Sequence, residues 1–586
     1  MMAKVLCCRP AWAVVVGVCL PTLVAARTPR DQVVMASAVV QADPPKITLE
    51  WPADSNAVAY LVYRKSLDGD TWGKRLATLP GDAVRFADAN VQRGQVYEYR
   101  VVKLCVEDKD VTSFHSGVGY LLAGIEAPLV DQRGRILLVV EKTHAKELAA
   151  ELARLERDLV GDGWEVVRRD VDRADPVTKV KGLIKDDYDS EPKTTRAVLL
   201  FGAVPIPYSG QLNPDGHGAR AWAADPYYGC LAGEWTDKTV NLPNPKKPRF
   251  ANIPDDGKFD QDFLPADMEL EVGRVDLRDL PAFEGKTEKD LLRQYLDKNH
   301  RFRHKSMSVE VRGLIHDKFG DFRGEAFAQN GWRNFAPMFT AERVVAAEFF
   351  KTLETDSYLW AYACAGGANP TRAGFGGTSD VVATDPKVVF TMLFGSYLGE
   401  WDDKDSILRA ILATPSHGLT SCWGGRPNWQ FHPMALGHHI GFCARRSQNN
   451  TGKLYNSGLL PLARGVHMAL MGDPTLRLHP VAPPADLAVR LDQPGVIELA
   501  WKASSDDVKG YHVYRADKPL GPFSRLTANL IGDTKFRDDS VPKTGKVHYM
   551  VRAVKLQSSP SGTYYNPSQG VFLDVEPTPT ENQNRP

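Results

Sequence analysis

The chain has 586 residues, of which 43% are hydrophobic and 25% charged, a globular composition long enough for about three to four domains. Lysine plus arginine number 72, and aspartate plus glutamate also number 72. That balance gives no electrostatic case for a nucleic-acid or anionic-membrane partner.

The first residues place Lys4 and Arg9 before an apolar run from Ala11 to Ala26. Val24 and Ala26 suit the small-residue positions of a signal-peptidase site, so residues 1–26 are predicted to be a signal peptide cleaved after Ala26. The run is shorter than the ~20 apolar residues of a membrane anchor and is broken by Pro21. No membrane span is expected after cleavage, and the mature chain is expected to be secreted, periplasmic or at the cell surface. Cys7, Cys8 and Cys19 leave with the signal peptide, while Cys105, Cys230, Cys364, Cys422 and Cys443 remain. An odd, sparse set leaves at least one thiol unpaired and is no disulfide framework. No CxxC or HExxH spacing appears, so no zinc site is expected.

Residues 45–125 carry Trp51, then YLVYRKS from Tyr60, RFADANV and YEYRVVKL. Alternation at Tyr60, Val62 and Arg64 has the period of a half-buried strand. Residues 134–480 change rhythm. Ile136 to Val140 is a continuous apolar run, Leu148, Leu152, Leu155 and Leu159 recur at helical spacing, and RAVLLFGAVPIP from Arg196 supplies another apolar strand. VRGLIHD from Val311, YLWAYAC from Tyr358 and VVFTMLF from Val388 continue the series. This order predicts a doubly wound, mostly parallel α/β sheet whose ligands bind outside the carboxyl ends of its strands. The tips at Phe201-Gly202, Cys364-Ala365-Gly366 and Gly395-Ser396 are therefore where a site is expected.

Residues 483–577 repeat the first pattern: Trp501, YHVYRAD from Tyr511, KFRDDSV and HYMVRAVKL. About seven short strands around one core Trp make a β-sandwich. Residues 578–586 are polar and Pro-containing and are expected to be disordered.

The twice-occurring Trp, YxVYR strand and late Tyr-centred strand resemble fibronectin type III domains. Within 134–480, LLFGAVPIP, the loop ADPYYG, MELEVGRVDLRD, YACAGG, FGSYLGEWD before the DSILRAIL helix, and MGDPTLRLH come in fixed order. That set resembles the gingipain-like (C25) cysteine peptidases, which implies a caspase-like fold. The expected architecture is multidomain: a central α/β caspase-like domain flanked by two all-β sandwich domains.

The family's base is the His of Tyr-x-Gly-His-Gly and its nucleophile the Cys of Cys-x-x-Gly. Here Tyr362-Ala363-Cys364-Ala365-Gly366 puts Ala365 at the histidine position, and Ser396-Tyr397-Leu398-Gly399 puts Ser396 at the cysteine position. A serine hydroxyl depends on a base even more than a thiol does. The resemblance therefore implies a non-catalytic domain that binds peptides or surface partners. One alternative is a cysteine-type endopeptidase with a displaced nucleophile, in which Cys364, or Ser396, pairs with His217 of NPDGHG; His417 and His467 are further histidines of the domain. Another is a structural cell-envelope component. Asp225 matches the acidic residue that contacts the substrate's basic side chain in arginine-specific members, with Tyr228 and Gly229 following; the competing reading has it cap the turn before Pro226. Trp429 matches an aromatic near the family's pocket, against a packed loop Trp. No cofactor is expected. Asp255 to Asp262 could hold calcium, which family members bind, but lacks D-x-D-x-D-G spacing. His438, His439 and Cys443 show no metal-ligand spacing.

Overall fold

The computed structural model describes residues 28–105, 117–239, 251–322, 325–456, 463–493, 495–542 and 545–576. The predicted signal peptide and the tail 578–586 lie outside the described residues. Among the described residues, no helix is long and apolar enough to cross a membrane; Cys230, Cys364, Cys422 and Cys443 are free thiols and, like Cys105, buried.

The apolar runs between residues 134 and 472 build one ten-stranded sheet. Its strands are β1 (Gly134–Glu141), β2 (Trp164–Val171), β3 (Thr195–Phe201), β4 (Glu271–Val275), β5 (Gly313–Asp317), β6 (Val344–Ala346), β7 (Tyr358–Cys364), β8 (Val388–Phe394), β9 (Thr420–Trp423) and β10 (Ala469–Gly472). Their order across the sheet is β6, β5, β7, β8, β9, β10, β4, β3, β1, β2. Strands β6 to β9 pair in parallel, as do β4, β3, β1 and β2, while β10 runs antiparallel to β9. Every residue of β7 and β8 is buried, as continuous apolar strands must be when both faces of a sheet are covered.

Helix α1 (Ala149–Gly161) buries Leu152, Leu155 and Leu159, the predicted helical stripe. Helix α2 (Glu288–Arg303) packs beside it. It starts at Thr287, where Thr287 and Asp290 close a capping box. Helix α3 (Gln329–Phe339) is buried along its whole length. It is wedged between the sheet, where Gly331 abuts Tyr362, and the β strands outside it, where Ser561 Oγ donates to Pro337 O.

Those β strands come from both ends of the chain. Strands Ser37–Gln41, Lys46–Glu50 and Arg85–Asp88 form one small antiparallel sheet, and Ala485–Gln493, Val496–Lys502 and Lys535–Asp538 form its counterpart. The first of these lies upstream of residue 45, so the first module takes in more of the chain than the repeat shows. Each small sheet shares a core with its half of a larger one: Ile47, Leu49, Trp51, Tyr60, Tyr99 and Leu121 on one side, and Ile497, Leu499, Trp501, Tyr511, Tyr549 and Val551 on the other.

The two halves are one continuous nine-stranded sheet. Strand Gly117–Ala127 of the first module lies parallel to Gly562–Pro567 of the second, with Gly562 opposite Gly124. Gly562 has φ of +112°, and a Cβ there would sit 2.1 Å from Gly124 O. Only glycine meets both demands, the left-handed backbone and the close approach.

Candidate functional site

The hairpin Tyr208–Leu212 and Arg220–Ala223 follows the end of β3. It lies over the carboxyl ends of β8 and β9, with Trp222 stacked on Trp423 at 5.3 Å between ring centroids and Trp423 Nε1 donating to Gly395 O. Arg220 bridges the two regions, reaching Asp215 at 3.1 Å and Glu400 at 2.9 Å. Asp215 in turn accepts from the backbone N–H of Tyr397 at 2.8 Å. The predicted tip at Gly395-Ser396 and the loop holding His217 thus meet.

At the end of β7, Ala365 is buried, and its N–H donates to Phe394 O. A meander of three short strands, Gly367–Asn369, Arg372–Ala373 and Gly376–Gly377, folds back over this tip. A Cβ on Gly374 would lie 3.2 Å from the Ala365 methyl, and one on Gly367 would lie 1.8 Å from Ser396 O. The glycine-rich stretch from Gly366 to Gly377 was the sequence signal for this strap, and only its first two residues were read as a strand end.

Cys364 is fully buried, and its Sγ lies 3.2 Å from Asp317 Oδ1. The same carboxylate oxygen accepts the N–H groups of Phe319 and Gly320. Burial, and then the Asp317 carboxylate, push the thiol well above its ordinary pKa. A thiolate is the reactive form, so this site suppresses it.

Ser396 is half-buried in the turn after β8. The exposed His217 ring stacks against the neighbouring Tyr397, centroids 4.8 Å apart, while His217 N–H is held by Asp215. Among the described residues, no side-chain hydrogen bond joins His217 to Ser396 or to Cys364. His467 packs edge-on against Trp222 and Trp423, and burial pushes it down to about 3, so it stays neutral. His417 bonds Ser416 and Ser308 O.

The expected binding residues are turned inward. Asp225 forms a two-bond fork with Arg274, Nε to Oδ2 at 2.8 Å and Nη2 to Oδ1 at 2.7 Å. Arg274 is fully buried and also donates to Val204 O and Pro205 O. The acid that was expected to meet a substrate's basic group thus already holds an internal one, the arginine of the VGRV strand. Tyr228 is buried with its hydroxyl on Pro205 O, and Trp429 is buried and stacked on Phe431 at 5.2 Å. In the acidic run, Asp260 accepts from Thr236, Lys238 and Thr239, and Asp256 pairs with Lys258. Both carboxylates are engaged in loop structure.

An open cleft lies one strand over. About 530 Å³ in volume, it sits at the ends of β5 and β6 and is lined by Arg30, His316, Asp317, Lys318, Trp332 and Glu348 among others. Arg30 lies over the Trp332 ring at 5.3 Å. His316 accepts from Phe349 N–H, and burial lowers its pKa. The cleft offers both charge signs around an aromatic wall. The sequence reading stopped at strand tips with a family counterpart and missed it. It also passed over His300 and His304, one helical turn apart on α2, which meet Asp158 of α1.

No protein-family model matches the sequence, and no curated protein matches it. Among solved structures, the chain is similar to the Arg-specific cysteine proteinase gingipain R, at 13% identity and a TM-score of 0.46, over 76% of this chain and 99% of that one. A shorter likeness is to an Fn3-like protein from Clostridium thermocellum, at 29% identity and a TM-score of 0.12, over 17% of this chain and 90% of that one. Another is to FN3tt, at 14% identity and a TM-score of 0.13, over 16% and 90% of the two chains.

Proposed function

We propose that this chain is an exported, non-catalytic protein, gingipain-like in its central domain, that binds a peptide or protein segment without cutting it. One observation carries the reading. The thiol at the strand tip, Cys364, is buried against a carboxylate, and the next residue, at the expected position of the base, is the methyl of Ala365. Thiol nucleophiles work beside imidazoles or other positive groups that favour the thiolate; a carboxylate does the reverse.

Binding is assigned to the cleft at the ends of β5 and β6. Its mixture of Arg30, Lys318, Asp317 and Glu348 around Trp332 suits a zwitterionic peptide. In this reading the segments 45–125 and 483–577 are fibronectin type III-like sandwiches that brace the domain at 134–480. Export rests on the residues before Ala26.

A thiol-reactive peptide probe applied to the full chain is expected to leave it unlabelled. Labelling that disappears in Cys364→Ala would overturn the reading. Calorimetric titration with short basic and acidic peptides is expected to show binding, and that of the acidic peptides is expected to weaken in Lys318→Glu. Absence of binding to every peptide would favour a structural role in the envelope.

A serine-type reading is favoured by one contact, the His217 ring stacked on the residue after Ser396. A fluorophosphonate probe separates the two: labelling of Ser396 that is lost in His217→Ala selects hydrolysis, and no labelling selects binding.

A further inference from the structure

His300 and His304 sit four residues apart at the carboxyl end of α2, so their rings rise from one face of the helix. Both turn to the same acceptor. His300 Nδ1 lies 2.8 Å from Asp158 Oδ2 and 3.1 Å from Oδ1, and His304 Nε2 lies 2.9 Å from Oδ1. The ring centroids are 4.1 Å apart. The Asp158 side chain is 7% exposed, while those of His300 and His304 are 33% and 24% exposed. One nitrogen of each ring and one carboxylate oxygen all fall within 4.8 Å of one another.

We propose that His300, His304 and Asp158 form a binding site for a divalent transition cation, zinc in particular, which pins α2 to α1. The donor set is two imidazoles and one carboxylate, and zinc takes such ligands at about 2.0–2.2 Å in a tetrahedral arrangement. Around such a centre the ligand atoms stand about 3.4 Å apart. The observed spacings of 2.8–3.1 Å are hydrogen-bond lengths, so the rings open by a few tenths of an ångström to admit the ion. Two of the three ligands are half-exposed at a helix end, where small rotations cost little. Each ring binds the ion through the lone pair of the nitrogen that faces Asp158, and any proton on that nitrogen leaves to solvent. The ion's charge is offset in part by Asp158, and its fourth position opens to water on the exposed side.

The location gives the ion a consequence. One turn beyond Asp158, Asp162 binds Arg303 of α2 and Arg477, and Arg477 reaches Asn566 of the second β module. The backbone carbonyl of Asp158 itself accepts from Gln569 of that module. An ion here stiffens the joint on which the second module docks.

The test uses the full chain stripped with EDTA and dialysed free of chelator. Calorimetric titration with Zn²⁺ is expected to show one site per chain, and Co²⁺ is expected to give the visible absorption of a tetrahedral centre. His304→Gln, at a half-exposed position, is expected to weaken Zn²⁺ binding at least tenfold and to abolish that absorption, with the circular dichroism unchanged. Zinc is also expected to shield His300 and His304 from diethyl pyrocarbonate in the wild-type chain. Wild-type protein that takes up no zinc, or equal affinity in His304→Gln and wild type, would overturn the proposal; so would shielding of other histidines but not these two.

Discussion

In the first β module the Asp88 carboxylate accepts from the Tyr99 hydroxyl at 2.9 Å and from Arg64 at 2.6 Å, and Arg64 also reaches Asn90 O. In the second, Asp538 accepts from Tyr549 at 2.7 Å and from Arg515 at 2.5 Å, and Arg515 also reaches Ser540 O. The internal triad is the same. One residue before each tyrosine the modules part company. Glu98, fully buried, leaves its own module and takes His432, Arg446 and Tyr455 of the central body together with Lys65. His548, at the same position of the repeat, stays at home on Asp574. Residues that fold a module are repeated, whereas residues that dock it are not.

The sharpest way to break this comparison is Glu98→Ala, which leaves three basic side chains facing a hole. A loss of about 3–5 kcal/mol of stability is expected, read by denaturant unfolding. Gly562→Val comes next, because it forces a branched side chain onto a positive φ and into Gly124 O. It is expected to cost about 1–3 kcal/mol in backbone strain alone and to speed proteolysis of the second module.

Acid probes Glu98 without mutation. Burial opposes its charge, but the His432 hydrogen bond and the charges of Arg446 and Lys65 hold its pKa at about 2, below the ordinary 4.5. A depressed carboxylate stabilises the fold above its unfolded value, and that stability drains away as pH falls from about 4.5 towards 2. Glu98→Gln is expected to flatten the decline over this range, which thermal melts in a pH series would show.

Tyr99→Phe and Tyr549→Phe each remove one donor from a buried carboxylate, and each is expected to cost about 1–2 kcal/mol. Values within about 0.5 kcal/mol of each other would sharpen the equivalence of the two triads. Smallest of all is His548→Ala, expected at under about 1 kcal/mol, since Asp574 is one-third exposed and solvent screens the pair.

The two tryptophan cores and the parallel strands of the central sheet were legible because each rests on a repeat or on local periodicity; the repeat also carries the residues of the triads, but only the fold joins Asp88 to Tyr99 and Arg64. Asp225 shows what was not. Its neighbours Pro226 and Tyr228 could be read from the sequence, but its partner Arg274 lies 49 residues on, and nothing local in VGRV says that this arginine points at ADPYYG. Trp429 shows the same limit: an aromatic in a loop reads as pocket wall or as a packed residue, and in the fold it is buried against Phe431. His300 and His304 failed for another reason. Their i, i+4 spacing was plain in NHRFRH, but the carboxylate that gives it meaning comes from a helix more than a hundred residues upstream.

The seam between Gly124 and Gly562 has a consequence for the order of assembly. The Glu126 N–H that donates to Thr563 Oγ1 is 437 residues from its acceptor, so this is among the most distant pairings in the chain. Loop-closure entropy makes such a pairing costly until the intervening chain has collapsed. Until the seam closes, the N–H and C=O groups around Gly124 and Gly562 lack their strand partner, and an open edge of that kind is a template for pairing with a second molecule. In the finished protein the two ends of the polypeptide hide each other's edges. A chain truncated before the second module leaves the Gly124–Ala127 end of strand Gly117–Ala127 uncovered and is expected to self-associate, which light scattering would show.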